Sequence, residues 1–398
     1  MRALTKIQVI VMLFLSLSVA GHAQVTLWEE LITKSSILSQ QGAYLKAAEV
    51  AEEALKVAEK TFGTDHANVA ISLNNLAALY DDQGRYPEAE PLYERALKIR
   101  ERALGKEHPD VAASLNNLAE LYRAQGRYSE AEPLYKRSLA IAENALGKEH
   151  PQVATSLNNL AELYRAQGRY SAAEPLYKRS LRIREKVLGK KHPDVAGSLN
   201  NLALLYYSER KYSEAEPLYK RSLKIVEKAL GPNHPYMATS LNNLAEVYRA
   251  QGKYSEAEPL FKRALVIDEK ALGKDHPGVA TDLNNLAGLY QVQGKYAEAE
   301  PLFKRSLEIR EKALGKNHPH VAVSLNNLAD HFQAQGRYSE AEPLFKRALA
   351  IVEKALGENH PYVAATCSNL AELYRQIGKE DEADRFELRA RRIHSKKR

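Results

Sequence analysis

Histidine is the residue type whose spacing in this sequence most suggests chemistry. Eight histidines recur every 42 residues, and such a ladder of imidazoles is a candidate for binding metal ions. They are His66, His108, His150, His192, His234, His276, His318 and His360. Geometry argues against a shared metal, because equivalent residues of neighbouring repeats lie roughly 8 to 10 Å apart, whereas each ligand of a zinc ion lies about 2 Å from it. The sequence therefore predicts a capping or packing role for these histidines, and no metal.

The other reactive residue types do not form a catalytic set. Serines and carboxylates recur in every repeat, which is typical of a structural requirement, whereas an active site would occur once. No glycine-rich phosphate loop is present. The single cysteine, Cys367, excludes an intrachain disulfide and occupies a leucine position of the repeat, so we expect it to be buried. The sequence predicts a protein that is not an enzyme and has no cofactor.

The 42-residue period extends over almost the whole chain. The string Leu-Asn-Asn-Leu-Ala begins at Leu73 and recurs without insertion up to Leu325, with a degenerate copy at Cys367. Gly42 and Tyr44 continue the register towards the N-terminus and add a first repeat that lacks the asparagine pair. This gives nine repeats, which predict a tandem array over residues 24–384.

Each repeat predicts a pair of helices. Apolar residues follow one another three and four positions apart, first from Leu115 to Tyr122 and then from Ala131 to Leu146. Glycines separate and end the two helices, prolines begin the first helix, and Ser129 is the expected N-cap of the second, with a proline in its first turn. A lone helical pair cannot bury its apolar face. The sequence therefore predicts an all-α fold, a right-handed superhelical solenoid of about nine stacked hairpins.

The residues of one repeat resemble the tetratricopeptide (TPR) signature in order and spacing. The matching residues are Leu115, Leu118, Ala119, Tyr122, Gly126, Tyr128, Ala131, Tyr135 and Leu139. The recurrent Leu-Gly-Lys-x-His-Pro-x-Val-Ala segment is similar to that of the 42-residue subclass found in kinesin light chains and many bacterial repeat proteins. The resemblance implies a scaffold that binds a protein or peptide partner, with no small-molecule substrate.

The resemblance also implies which side chains line the inner groove of the array. The first groove position is asparagine in seven repeats: Asn74, Asn116, Asn158, Asn200, Asn242, Asn284 and Asn326. A row of amides can hold the main chain of an extended peptide, and the alternative is a bond to the neighbouring helix. For the second asparagines, such as Asn75 and Asn117, a structural role is the favoured interpretation.

The fifth repeat differs from the others at the remaining two groove positions. It has Leu204 and Tyr207 where other repeats mostly have a Glu and Arg pair. We therefore predict a pocket for an anchor side chain at Leu204 and Tyr207, with Arg165 and Arg249 on either side available to acidic residues of the partner. The alternative is that these two positions do not contact a partner and that their residues vary without a functional reason.

The two ends of the chain differ from the array. Residues 1–23 have a basic start, a short apolar run and a small-residue exit, which predicts a cleaved signal peptide and an exported protein, periplasmic or extracellular in a bacterium. Of the formal charge of +7, residues 385–398 supply most, and residues 24–384 sum to −1. This weighs against nucleic acid as a partner. An alternative function is passive assembly, through the ends of the array or through a basic tail on an anionic surface.

Overall fold

A computed structural model describes residues 24–395, which are almost entirely helical and contain no strand. The predicted signal peptide, residues 1–23, lies outside the described residues, as do Lys396, Lys397 and Arg398. No described helix is long and apolar enough to cross a membrane. Eighteen helices pair consecutively into nine hairpins over the described range, as the sequence predicts.

From α3 onward each described first helix has 16 residues, and each second helix has 19 residues except the last, which has 16. The first helices are α1 (24–40), α3 (Ala67–Asp82), α5 (Pro109–Ala124), α7 (Pro151–Ala166), α9 (Pro193–Ser208), α11 (Pro235–Ala250), α13 (Pro277–Val292), α15 (Pro319–Ala334) and α17 (Pro361–Gln376). The second helices are α2 (Tyr44–Phe62), α4 (Tyr86–Leu104), α6 (Tyr128–Leu146), α8 (Tyr170–Leu188), α10 (Tyr212–Leu230), α12 (Tyr254–Leu272), α14 (Tyr296–Leu314), α16 (Tyr338–Leu356) and α18 (Glu380–Ser395).

The chain divides into two compact units at residue 114. In the first, Trp28 packs with Leu31, Val69 and Ile99, and its indole nitrogen donates a hydrogen bond of 2.8 Å to Ser72 Oγ. The second unit, from residue 115, repeats one packing scheme in which alanines such as Ala161 and Ala173 are fully buried. These small residues let the two helices of a hairpin approach closely.

Buried serines tie neighbouring helices together in the second unit. Ser180 Oγ donates 2.7 Å to the carbonyl of Ala154, and Ser306 Oγ donates 2.7 Å to that of Ala280. Each bond satisfies a hydroxyl that has no access to water, so serine fills the small core position without leaving an unpaired polar group.

The recurrent histidines cap the first helices, which confirms the structural role predicted for them. In α7, His150 Nδ1 accepts a hydrogen bond of 3.2 Å from the backbone nitrogen of Gln152, and the same bond recurs at each of the other seven histidines. The bond satisfies one of the backbone N–H groups that have no partner within the helix. Cys367 is fully buried, as predicted, and burial raises the pKa of its thiol to about 11.

The glycines that separate the helices have positive φ, whereas the predicted N-cap of the second helix is wrong by two residues. Gly126 has φ of 71° and ends the first helix in a conformation that glycine adopts without strain. Helix α6 begins at Tyr128, and its N-cap, Arg127, makes no capping hydrogen bond from its side chain to the described helix backbone, so Ser129 is not the cap. Pro133 consequently lies in the second helical turn and not in the first.

One contact within the second unit joins residues far apart in sequence. His360 Nε2 lies 3.1 Å from the carbonyl oxygen of Ala124, and a Cβ added at Gly126 would lie 3.1 Å from the His360 ring. Because Nδ1 of the same ring accepts from the Tyr362 nitrogen, Nε2 carries the proton and donates it. The turn of the third repeat therefore packs against the His-Pro loop of the ninth.

Candidate functional site

The first helices form the inner side of the stack in the second unit. Successive first helices contact one another directly, from α7 with α9 to α15 with α17, whereas successive second helices in this unit do not pack together to that extent. Helices that approach more closely lie on the inside of a curved stack. The side chains of α7, α9, α11, α13, α15 and α17 are therefore the candidates for contact with a partner.

The first asparagine of each pair is largely committed to neighbouring repeats. Asn242 Nδ2 donates 2.5 Å to Asp282 Oδ1, and Asn284 Nδ2 donates 3.3 Å to Ser324 Oγ. Asn116 and Asn326 make the same link, to Ser156 at 3.5 Å and to Thr366 at 3.1 Å. The structure thus places these amide nitrogens between adjacent first helices.

The carbonyl oxygens of these first asparagines are also enclosed. Asn116, Asn200, Asn242, Asn284 and Asn326 each have a buried Oδ1 without a hydrogen-bond partner. Asn158 differs, because its Oδ1 accepts a bond of 2.9 Å from Asn201 Nδ2. Asn74 lies in the first unit. Except at Asn284, which borders an open cavity, a peptide would reach this row only by separating the helices, so the arrangement favours the structural alternative left open by the sequence.

The second asparagines of the pairs differ from the first ones mainly in their hydrogen bonds. Asn159, Asn243, Asn285 and Asn327 are all half-buried, and none of these four makes a hydrogen bond in the described part of the chain. Asn201, bonded to Asn158, is the exception. Four free amides on the inner side can each donate and accept hydrogen bonds. Sequence reasoning assigned this row to structure, because two adjacent asparagines look alike until the neighbouring helix is in place.

Arginine and glutamate pairs occupy the next positions along the same helices. Arg123 lies 2.7 Å from Glu120, Arg165 lies 2.5 Å from Glu162, and Arg249 lies 2.6 Å from Glu246. Burial acts to raise the pKa of Glu162, but the hydrogen bond and charge of Arg165 outweigh it and lower the pKa. Arg165 and Arg249 are predicted to bind acidic residues of a partner. In the structure each already forms an ion pair with a glutamate of its own repeat.

The anchor pocket predicted in the fifth repeat is partly filled by its own residues. Tyr207 is half-buried, packs 5.5 Å from the ring of Tyr212, and donates a hydrogen bond of 3.4 Å to Glu246 Oε2. Burial, and then the charge of Glu246, raises the pKa of its hydroxyl. Leu204 is half-buried on the same helix. The anchor role of these two residues stays a prediction.

Two of the basic residues near the C-terminus have acidic partners. Arg389 pairs with Glu353 on α16, and Arg391 pairs with Glu387 within α18. These bonds reduce the charge that α18 offers to an anionic surface. The three last residues of the predicted tail lie outside the described residues.

Comparison with known proteins identifies the repeat. The family model for the tetratricopeptide repeat matches residues 31–102, 82–144, 110–186, 152–228, 194–270, 236–312, 282–354 and 321–396. No curated protein matches the sequence.

Several solved structures are similar to the chain. One is a Podosopora anserina protein described as a kinesin light chain with nearly identical TPR-like repeats, at 32% identity over 52% of this chain and 97% of that chain, with a TM-score of 0.44. Another is BtubC from P. vanneervenii, at 26% identity over 62% of this chain and 92% of that chain, with a TM-score of 0.45. A Rap protein complexed with Competence and Sporulation Factor is 15% identical over 93% of this chain and 98% of that chain, with a TM-score of 0.61.

Proposed function

We propose, on the premise that this chain belongs to the tetratricopeptide repeat family, that it is a non-enzymatic scaffold whose inner face binds an extended segment of a protein partner. The observation that carries the proposal is the row of half-buried second asparagines without hydrogen-bond partners. Repeat arrays of this kind use their concave surfaces for binding. A Rap protein of the same fold holds Competence and Sporulation Factor, which supports the idea of a ligand on this chain.

The second asparagines would bind the main chain of the peptide, and the variable residues beside them on the first helices would select its side chains. An extended peptide presents a carbonyl and an N–H group at each residue, and an asparagine side chain can bond to either whatever the peptide sequence. First helices roughly 8 to 10 Å apart correspond to about three residues of extended chain. A segment of about nine residues therefore passes Asn243, Asn285 and Asn327.

Selection from a random library of displayed 12-residue peptides against residues 24–398 tests this proposal. Peptides that bind are remeasured by fluorescence anisotropy against a triple variant, Asn243→Ala, Asn285→Ala and Asn327→Ala. Loss of three hydrogen bonds of about 1 kcal/mol each should weaken every selected peptide roughly 100-fold. Because these amides make no hydrogen bond among the described residues, the variant should keep the helical circular dichroism of the wild type.

The matched control changes three exposed lysines on the second helices, Lys220→Ala, Lys262→Ala and Lys304→Ala. Each contacts a glutamate of its own helix and lies 5.8 to 6.0 Å from an aromatic ring of the next first helix, and in the described chain none of them contacts an asparagine of the row. The control should keep the wild-type affinities. Equal affinity of the wild type and the asparagine variant would refute recognition through this row.

A further inference from the structure

A cavity of about 240 Å³ opens on the inner face across the sixth, seventh and eighth repeats. Its lining includes Glu246 and Arg249 from α11, Asn284, Gly288 and Gln291 from α13, and Asp330 from α15. Apart from the adjacent residues and the backbone of its own helix, no described atom lies within 4 Å of the position that a Cβ at Gly288 would occupy. The absence of a side chain at this glycine leaves room beside the asparagine row.

The cavity coincides with a break in the repeating ion pairs. The third, fourth and sixth repeats have a glutamate followed three residues later by an arginine that binds it. The seventh has Gly288 and Gln291, and the eighth has Asp330 and Gln333. Gln333 donates a bond of 3.0 Å to Gln376 Oε1 of the next repeat. In the eighth repeat Asp330 therefore occupies the position of the glutamate, but Gln333 replaces the arginine that would pair with it.

The cavity presents hydrogen-bond acceptors that no donor satisfies. Asn284 is only 7% exposed, and its Oδ1 has no partner. Gln291 Oε1 is likewise buried without a partner. Asp330 makes no hydrogen bond or ion pair in the described part of the chain. Buried acceptors of this kind are costly unless a donor reaches them.

The electrostatics of the cavity favour a cation. Burial, and then the charge of Glu372 in the next repeat, raises the pKa of Asp330 to about 7. The positive charge of Arg249 is already balanced by Glu246 at 2.6 Å. A positive group in the cavity would be attracted by Asp330 and would also satisfy the free oxygens.

We infer that this cavity binds an arginine or lysine side chain of the extended segment, with Asp330 as its ion-pair partner and Asn284 and Gln291 as additional acceptors. This inference rests on the proposed function, because the basic side chain arrives on a peptide held along the first helices. Arginine fits better than lysine, because its guanidinium presents five N–H donors in a planar fork, and the acceptors belong to three separate residues.

The same peptide selection tests the inference, with Asp330→Asn as the diagnostic variant. This change keeps the shape of the side chain and removes a buried charge, so the variant should fold. Glu162→Gln is the matched control, because Glu162 holds the equivalent position four repeats earlier and is already paired with Arg165. Peptides selected on the wild type should share one basic residue, and Asp330→Asn should weaken them roughly 10- to 100-fold.

Replacement of the basic residue in the peptide completes the test. Citrulline, a neutral mimic of arginine, should weaken binding to the wild type as much as Asp330→Asn does, and should cause little further loss in that variant. Selected peptides without a shared basic residue, or with equal affinity for the wild type and Asp330→Asn, would overturn the inference and leave the proposed function intact. Failure of the wild type to select any peptide would overturn both.

Discussion

Two buried carboxyl groups at the contact between the sixth and seventh repeats should make the stability of the protein fall as pH rises. Asp268 of α12 and Asp282 of α13 are 8% and 1% exposed, and the pair replaces the bonded arginine and serine found at Arg184 and Ser198. Burial raises the pKa of both carboxyl groups, that of Asp282 to about 7, and the charge of Asp268 adds to the effect. Near neutral pH the two groups therefore share a proton.

The magnitude follows from the shift of Asp282. An unfolded aspartate has a pKa near 3.9, and a shift of one unit corresponds to about 1.4 kcal/mol. A folded-state pKa of about 7 thus corresponds to a loss on the order of 4 kcal/mol above pH 7. Between about pH 4 and pH 7 the folded chain binds more protons than the unfolded chain, so the free energy of unfolding decreases as pH rises through this window and levels off above it.

The diagnostic variant is Asp282→Asn. Its amide can accept the bond from Asn242 Nδ2, now 2.5 Å long, and can donate to Asp268 Oδ1, which has no partner. At pH 5 the variant and the wild type should be similar in stability, and at pH 8 the variant should be more stable by up to about 4 kcal/mol. The difference between the free energies of unfolding of the variant and the wild type at each pH cancels the contributions of other titrating groups, such as Asp330.

Urea unfolding from pH 4.5 to pH 8.5, followed by circular dichroism and by hydrogen exchange of amides in α12 and α13, measures the effect. Hydrogen exchange is needed because a long repeat array need not unfold in one step. Asp194→Asn, which changes an exposed carboxyl group on α9, is the control and should keep the wild-type profile. A difference in free energy between the variant and the wild type that stays constant from pH 5 to pH 8 would refute the sharing of a proton.

Two further predictions concern the turns between helices. Arg210 is the single residue other than glycine with positive φ in the described chain. Arg210→Gly should therefore raise the free energy of unfolding by up to about 1 kcal/mol, measured by urea unfolding. A free energy no higher than that of an Arg210→Ala control would contradict this. Gly126→Ala should destabilise more than Gly168→Ala, by about 1 kcal/mol, because both have φ near 71° but only the first would press on His360. Equal losses in the two alanine variants would show that this long-range contact is absent in solution.

Much of the fold could be predicted from residue spacing, because its determinants are local. The apolar period, the glycines and the His-Pro segments each act within one turn of helix, and the sequence repeats them often enough to remove ambiguity. The start of the second helix was wrong because Ser129 is a strong N-cap residue by type, whereas the backbone turns at Gly126 and enters the helix at Tyr128. The export of the chain and the anchor role of Leu204 and Tyr207 stay predictions.

The candidate site could be predicted less well, because its determinants lie in neighbouring repeats. Successive residues of a helix point about 100° apart, so adjacent asparagines such as Asn284 and Asn285 face different surroundings. Which of the two bonds across to the next helix depends on Ser324, 40 residues further on. Sequence alone showed Gly288 and Asp330 as departures from the pattern, but not that they border one cavity.

The contact between His360 and Ala124 changes how the last hairpin of the second unit can unfold. In an array where each repeat touches only its neighbours, stability is a sum along one dimension, and the last hairpin can detach alone. Here the ninth repeat is also fastened to the third by a bond spanning 236 residues. Unfolding of α17 therefore breaks its interface with the eighth repeat and its contact with the third repeat at the same time. The last hairpin is held at two places and should detach less readily than the end of an array without such a contact.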